Sequence, residues 1–406
     1  MQKKKTRKKW TKYRHRVVRN IAYGVLYPYS KWKYGITVER FKEQGDSAYL
    51  ILLNHQTPFD QFFVGMSFKG AVYYLASEDL FSNGWISSVI RWLVAPIPIK
   101  KQTMDIGAVM NCIRVAKEGG TIAIAPEGNR TYSGKTEYMS PAIASLARKL
   151  GLPIALYRIE GGYGAQPRWS DVIRKGKMRA YVSRVIAPEE YSGLTNEELF
   201  AIIKKELAVN EGVSDGLFLS NKRAEYLERA IYVCPYCGLS EFESKGNEIE
   251  CKKCHRKIAY GEDKRLTGVG FSFPFAYVTQ WYDYQKAFVG SLDVTQYTQA
   301  PIYRDTASLT EVIVNKQKLL LRKTADIFLY GDRIVIDEGG ENALTFPFHD
   351  VSAVSVLGRN KLNIYHGDKV YQLKGGKRMN ALKYVNFYYL HKNVRSKEEN
   401  AVFLGI

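Results

Sequence analysis

Leu50-Ile51-Leu52-Leu53-Asn54-His55-Gln56-Thr57-Pro58-Phe59-Asp60 decides the reading of this chain. Four consecutive apolar residues suit a strand buried on both faces, as in a parallel sheet covered by helices. The strand runs straight into Asn54-His55, and Pro58 is a natural start for a helix. If a helix begins there, the chain turns back and the Asp60 carboxylate reaches His55 Nδ1. A carboxylate on Nδ1 fixes the tautomer that leaves Nε2 as a base. This is the orienting half of a serine-protease triad, with the nucleophilic hydroxyl left for a substrate to supply. The other five histidines are followed five residues later by Asn20, Tyr260, Val354, Tyr371 and Ser396, so only His55 has this spacing. Taken alone, the spacing favours a structural histidine.

A second block changes the balance. Thr121-Ile122-Ala123-Ile124-Ala125-Pro126-Glu127-Gly128-Asn129-Arg130-Thr131 is again strand into loop, about seventy residues on. Gly128 permits close backbone approach, and Arg130 carries a planar fork suited to bidentate phosphate binding. Glu127 can orient that arginine or bond a hydroxyl. Together the two blocks resemble the glycerophospholipid acyltransferase family, typified by 1-acylglycerol-3-phosphate O-acyltransferase. Its NHxxxxD motif is matched by Asn54, His55 and Asp60, and its F-P-E-G-T-R-S motif at Pro126, Glu127, Gly128 and Arg130. A proline-centred apolar strand is matched by Leu152-Pro153-Ile154-Ala155-Leu156, and the resemblance spans about residues 30–210.

What the resemblance implies is acyl transfer from an acyl-CoA or acyl-carrier-protein thioester to a lysophospholipid hydroxyl. His55 would be the general base and Asp60 its orienting partner. Asn54, Lys100, Lys101, Glu127, Gly128 and Arg130 would bind substrate, the last three seating the acceptor phosphate. No covalent acyl-enzyme is needed, so the lone Cys112 reads as core. The chain departs from the family where Lys100-Lys101 follows Pro96-Ile97-Pro98-Ile99, a place usually held by arginine, and lysine lacks the bidentate fork. Ser77-Glu78-Asp79-Leu80 stands where the family often has K-x-E-L, and Ala125, Asn129 and Thr131 replace Phe, Thr and Ser. These departures leave two alternatives: a divergent lysophospholipid or glycolipid acyltransferase, and a catalytically silent membrane adaptor of the same fold.

The chain of 406 residues carries a net charge of +20, from 60 Lys+Arg against 40 Asp+Glu. Ten of those cations and no acid lie within residues 1–20. Such an arm seeks nucleic acid or an anionic membrane, and the acyltransferase blocks favour the membrane. No run of about 18 or more apolar residues exists, and the basic start lacks the apolar core of a secretory signal. The expectation is a cytoplasmic protein, peripheral on the cytoplasmic face of a membrane. Val17–Trp32 reads either as an amphipathic helix at the lipid interface or as a core helix.

Residues 45–210 alternate short apolar runs (Ala48–Leu53, Ala71–Leu75, Thr121–Ala125, Ile154–Ile159) with helix-like stretches, an α/β pattern. Ser140-Pro141 and Gly151 read as the start and stop of one of these helices. Further on, Cys234-Pro-Tyr-Cys237 and Cys251-Lys-Lys-Cys254 are separated by thirteen residues, the zinc-ribbon spacing. Four thiolates converge on one Zn²⁺ at about 2.3 Å and leave no open position, so the metal is structural and His255 is spare. Basic residues here are offset by Glu241, Glu243, Glu248 and Glu250, which argues against nucleic acid and for a protein contact. From about residue 305 strand follows strand, with a hairpin turn at His366-Gly367-Asp368-Lys369 and a closing helix at Asn380–Lys392. That order resembles a pleckstrin-homology or GRAM-like barrel, with Lys369, Lys374, Lys377 and Arg378 as a candidate head-group patch against a plain solvated face. The expected division is an arm and membrane-contact segment (1–35), the α/β acyltransferase domain (36–215), a linker helix and zinc ribbon (216–262), a connector (263–304) and the β-rich domain (305–406).

Overall fold

A computed structural model describes residues 8–99, 105–313 and 316–396. Lys100 and Lys101 lie outside the described residues. The chain divides into two units: residues 1–128, 139–160 and 178–208 form the first, and 129–138, 161–177 and 209–406 the second.

The first unit opens with helix α1 (Tyr13–Tyr34), strand β1 (Ile36–Val38) and β2 (Leu50–Leu53). There follow α2 (Asp60–Ser67), β3 (Val72–Ser77), α3 (Trp85–Val94), β4 (Ile97–Ile99), α4 (Ile106–Lys117) and β5 (Thr121–Ile124). After α5 (Ala142–Leu150) and β6 (Ile154–Glu160), the short α6 (Gly162–Ala165) belongs to the second unit. The chain returns for β7 (Met178–Ile186), α7 (Pro188–Ser192) and α8 (Asn196–Leu207). Seven strands make one sheet in the order β1-β7-β6-β2-β5-β3-β4. β2 lies parallel between β5 and β6, and the one antiparallel pair is β6 with β7, so that β7 and its parallel neighbour β1 run opposite to the other five strands. All residues of β2 and β5 are buried, which is why their sequences are unbroken apolar runs rather than alternating ones. Asp105 caps α4 through Ala108 N at 3.0 Å. α5 begins one residue later than Pro141 and stops at Gly151, whose φ of 64° only glycine adopts without strain.

The second unit has two all-antiparallel parts. In the first, the ribbon β8 (Val233–Cys234) and β9 (Gly238–Leu239) precedes a four-stranded sheet of β10 (Phe242–Lys245), β11 (Glu248–Cys251), β12 (Lys257–Tyr260) and β13 (Leu266–Gly268). α9 (Val278–Gly290) packs on β8: Trp281 Nε1 donates to Val233 O at 2.8 Å, and Gln285 Oε1 accepts from Tyr232 N and Val233 N. The second part is a seven-stranded sheet in the order β17-β16-β15-β14-β20-β19-β18. Its strands are β14 (Tyr303–Ile313), β15 (Gln317–Leu329), β16 (Arg333–Ile336), β17 (Leu344–Pro347), β18 (Val351–Leu357), β19 (Lys361–His366) and β20 (Lys369–Gly375). His366 pairs with Lys369 across the turn that joins β19 to β20. α10 (Leu382–Ser396) covers this curled sheet, with Tyr388 Oη donating to Val351 O at 2.9 Å.

Candidate active site

His55 follows directly on β2, at the C-terminal edge of the parallel strands, where α/β sheets place their sites. Its Nδ1 meets Asp60 Oδ2 at 2.7 Å. Asp60 is 1% exposed, and its carboxylate takes three further bonds: Gln56 N at 2.7 Å on Oδ2, and Thr57 N at 2.9 Å and Thr57 Oγ1 at 2.7 Å on Oδ1. Thr57 Oγ1 in turn accepts from Phe59 N at 3.1 Å, two residues on, just before α2. A carboxylate filled by four donors cannot rotate. An Nδ1–H donated to it leaves Nε2 with the lone pair.

Two further side chains brace this loop. Asn54, expected among the substrate-binding residues, is fully buried, and both ends of its amide go to the backbone of β6. Nδ2 donates to Ile159 O and Oδ1 accepts from Ile159 N, each at 2.8 Å. It holds the strand behind the histidine and does not line the site. Glu127 is buried, and its Oε1 accepts from His55 N at 3.2 Å, tying the Pro-Glu-Gly turn to the Asn-His turn. Gly128 has φ of 72° and closes that turn through its N–H to Ala125 O at 3.0 Å. Arg130 belongs to the second unit, where its carbonyl oxygen accepts from Arg168 Nη1 at 2.9 Å. Ser77 is half-buried at the end of β3.

His55 and Asp60 open onto a cavity of about 650 Å³ within the first unit. Its wall is apolar: Val18, Ala22 and Leu26 from α1, Ile90 and Leu93 from α3, and Met66 from α2. No motif pointed to these residues; they follow only from the packing of α1 and α3. An adjacent side of α1, about a quarter-turn round the helix, carries exposed apolar residues: Val17, Ile21, Val25 and Trp32, with Ile21 and Val25 66% and 67% exposed. α3 likewise exposes Trp85 and Trp92. Arg14 Nε donates to Trp92 O at 2.9 Å and joins the two helices. Among the described residues, no helix is long and apolar enough to cross a membrane. Cys112 is buried against the sheet, and burial pushes its thiol up to about 12, so it is no thiolate nucleophile at neutral pH.

In comparisons with known proteins, residues 36–158 match the acyltransferase family model. Residues 36–158 form an acyltransferase-family domain. The 1-acyl-sn-glycerol-3-phosphate acyltransferase of Bacillus subtilis (strain 168) is 22% identical over 178 residues, covering 44% of this chain and 83% of that protein. A chloroplastic enzyme of the same name from Arabidopsis thaliana is 21% identical over 197 residues, and there the chain spans about half the relative's length, 52%. The crystal structure of the 1-acyl-sn-glycerophosphate acyltransferase from Thermotoga maritima aligns at TM-score 0.39 with 21% identity, over 48% of this chain and 75% of that one. The acyltransferase reading of the two motif blocks therefore holds at the level of the family.

In the second unit, the Sγ atoms of Cys234, Cys237, Cys251 and Cys254 all lie within 4.8 Å of one another. Cys234 and Cys254 are 3.9 Å apart. Four thiolates at about 2.3 Å from a tetrahedral zinc would stand about 3.8 Å apart, so the four could hold one metal ion. His255 is 76% exposed and turns to Glu250 at 3.0 Å. The candidate head-group patch is partly spent on internal ties. Lys369 pairs with Glu311 at 3.4 Å, and Arg378 with Glu225 at 2.6 Å and with the buried Glu228.

Proposed function

We propose that this chain is a peripheral membrane O-acyltransferase. It moves a fatty acyl group from an acyl-CoA or acyl-carrier-protein thioester to the hydroxyl of a lysophospholipid, with 1-acylglycerol-3-phosphate as the acceptor and phosphatidic acid as the product. The observation that carries this reading is the His55–Asp60 pair at the edge of an apolar cavity in an acyltransferase-family domain. The names of the relatives support the acceptor.

In the proposed chemistry His55 Nε2 takes the proton of the acceptor hydroxyl as its oxygen attacks the thioester carbonyl. Asp60 faces the imidazolium that forms. The tetrahedral intermediate collapses, the C–S bond breaks, and the departing thiolate takes the proton back from His55. The apolar cavity keeps water from competing for the acyl group and receives its hydrocarbon; its volume lies within the range of about 300–1,000 Å³ usual for small-molecule sites. Lys100 and Lys101 supply cations for the acceptor phosphate, with Gly128 allowing close backbone approach.

The exposed apolar stripe of α1, with the tryptophans of α3, rests in the interfacial region of the cytoplasmic leaflet. The ten cations of residues 1–20 draw it to anionic lipid. Cys234, Cys237, Cys251 and Cys254 bind one structural Zn²⁺, which adds to the stability of its module. The curled sheet with α10 is a pleckstrin-homology or GRAM-like module.

The test is a panel of lysolipid acceptors with acyl-CoA and acyl-carrier-protein donors, comparing the parent with His55→Ala. Loss of a positioned base costs about 10²–10⁴-fold in rate. Equal turnover by the two proteins would falsify the chemistry, and no turnover on any acceptor would turn the reading to a silent membrane adaptor.

A further inference from the structure

Alternation fails on one strand of the second unit. From Gln317 to Thr324, eight consecutive positions of β15, no residue is buried, and burial resumes only at Ala325. In a half-buried strand every second side chain should be covered. Here Leu319, Leu320 and Leu321 are 40%, 58% and 45% exposed in direct succession. The topology supplies the reason. β15 pairs with β14 over its whole length but with β16 only at Ile327–Leu329, so its first half is an edge with one neighbour. A register shift beside Leu321 adds a bulge there.

Three adjacent exposed leucines on an open edge invite pairing with another chain, and proteins commonly blunt such edges with charge. Lys316, Lys318 and Lys323 flank the leucines, Arg322 beside them is ion-paired with Asp337 at 2.5 Å, and 316–325 contains no acid. Opposite Leu319 lies Glu311, which is ion-paired with Lys369. The strip is thus apolar in the middle and positive at both ends. That pattern complements an anionic lipid surface, where leucines enter the acyl boundary and lysines stay at headgroup depth.

We propose that the first half of β15 is a lipid-contact edge in which Leu319, Leu320 and Leu321 insert into the interfacial region of an anionic bilayer while Lys316 and Lys323 bind its headgroups. This deepens the membrane reading above but rests on residues separate from α1 and the amino-terminal arm. It gives the second unit an attachment of its own.

The experiment is partition of the full chain onto vesicles of phosphatidylcholine with a minority of phosphatidylglycerol, without substrate. The triple change Leu319→Ser, Leu320→Ser, Leu321→Ser should weaken partition by about ten-fold or more. Since all three side chains are exposed, the melting midpoint should not fall. Lys316→Gln with Lys323→Gln should weaken binding only on anionic vesicles and at low salt. Amide exchange across 317–324 should slow when vesicles are added. Unchanged partition in the serine variant, beside a clear loss in Ile21→Ser/Val25→Ser, overturns this proposal and leaves the membrane reading standing. A parent that binds no vesicles overturns both. A parent whose mass by light scattering exceeds one chain and drops in the serine variant, with vesicle binding unaltered, assigns the edge to chain–chain pairing and overturns the lipid contact.

Discussion

Asp60→Asn is the sharpest probe of the proposed chemistry, because the replacement has nearly the same shape but cannot serve all four donors. His55 Nδ1 and Gln56 N approach one oxygen, and Thr57 N and Thr57 Oγ1 the other. Whichever way the new amide is turned, its NH₂ confronts at least one buried backbone N–H. An unmet buried donor costs about 1–3 kcal/mol. At about 2–4 °C per kcal/mol for a domain of this size, the melting midpoint should drop by about 2–12 °C. The effect on rate should be far larger. If the NH₂ faces His55, it donates to Nδ1 and the proton moves to Nε2, so the base is lost. If the oxygen faces His55, the tautomer survives but the charge opposite the forming imidazolium is gone. The corresponding change in a serine-protease triad costs about 10⁴ in kcat, and a loss of about 10²–10⁴ is expected here. The assay is steady-state acyl transfer to the best acceptor, with a melting curve on the same preparation. A variant within about threefold of the parent in kcat, the range in which no base has been lost, would refute the assignment of His55 and Asp60.

Asn54→Ala strands both Ile159 N and Ile159 O in a buried place, so stability should fall by about 2–6 kcal/mol; a melting midpoint within a degree of the parent would refute the clamp. Cys251→Ser should lower the zinc content measured by elemental analysis from near one equivalent and make the second unit more easily cleaved by protease; a parent purified with far less than one equivalent would remove the zinc claim. Changing Lys8, Lys9 and Lys12 to Gln should weaken binding to anionic vesicles at low salt, each charge contributing about 1 kcal/mol near the surface, with little change on neutral ones. This is a cleaner test than deleting residues 2–16, since Trp10 Nε1 donates to Ala95 O and Arg14 holds Trp92. His15 is buried, and desolvation, reinforced by Arg14 and Lys12, holds its pKa below the ordinary value of 6.5. The unfolded chain therefore binds the extra proton first as pH falls. Stability present above about pH 6.5 declines below it, and His15→Phe should flatten that part of a melting-midpoint profile.

Much of the site was legible because its parts are local in sequence. An apolar run into Asn-His with Asp60 five residues after the histidine, and a Pro-Glu-Gly turn, are both short-range patterns, and each folds into one loop. The four cysteines were legible for the same reason, since each CxxC is its own turn. What could not be read was decided at long range. Asn54 was expected to bind substrate because it belongs to the family motif; only the placement of β6 beside β2 reveals that its partner is a backbone 105 residues away. The cavity wall was hidden because α1 carries apolar residues on two adjacent sides, and sequence cannot tell the side that lines a hollow from the side left exposed. The lysine patch seemed available by composition, while Glu225, Glu228 and Glu311 had already engaged two of its members. The exposed leucines of β15 would pass for any core strand until the register leaves them on an edge with β14 as their one neighbour.

α1 presents one apolar side outward and another, only about a quarter-turn round the same helix, to the cavity. If the outward side lies in lipid, a hydrocarbon chain can slide sideways from the leaflet around this helix without being dissolved in water on the way. The reaction is then fed in two dimensions. Its apparent KM should follow the mole fraction of acceptor in the surface rather than its concentration in the tube, so diluting the acceptor with inert phospholipid at constant total acceptor should slow the enzyme.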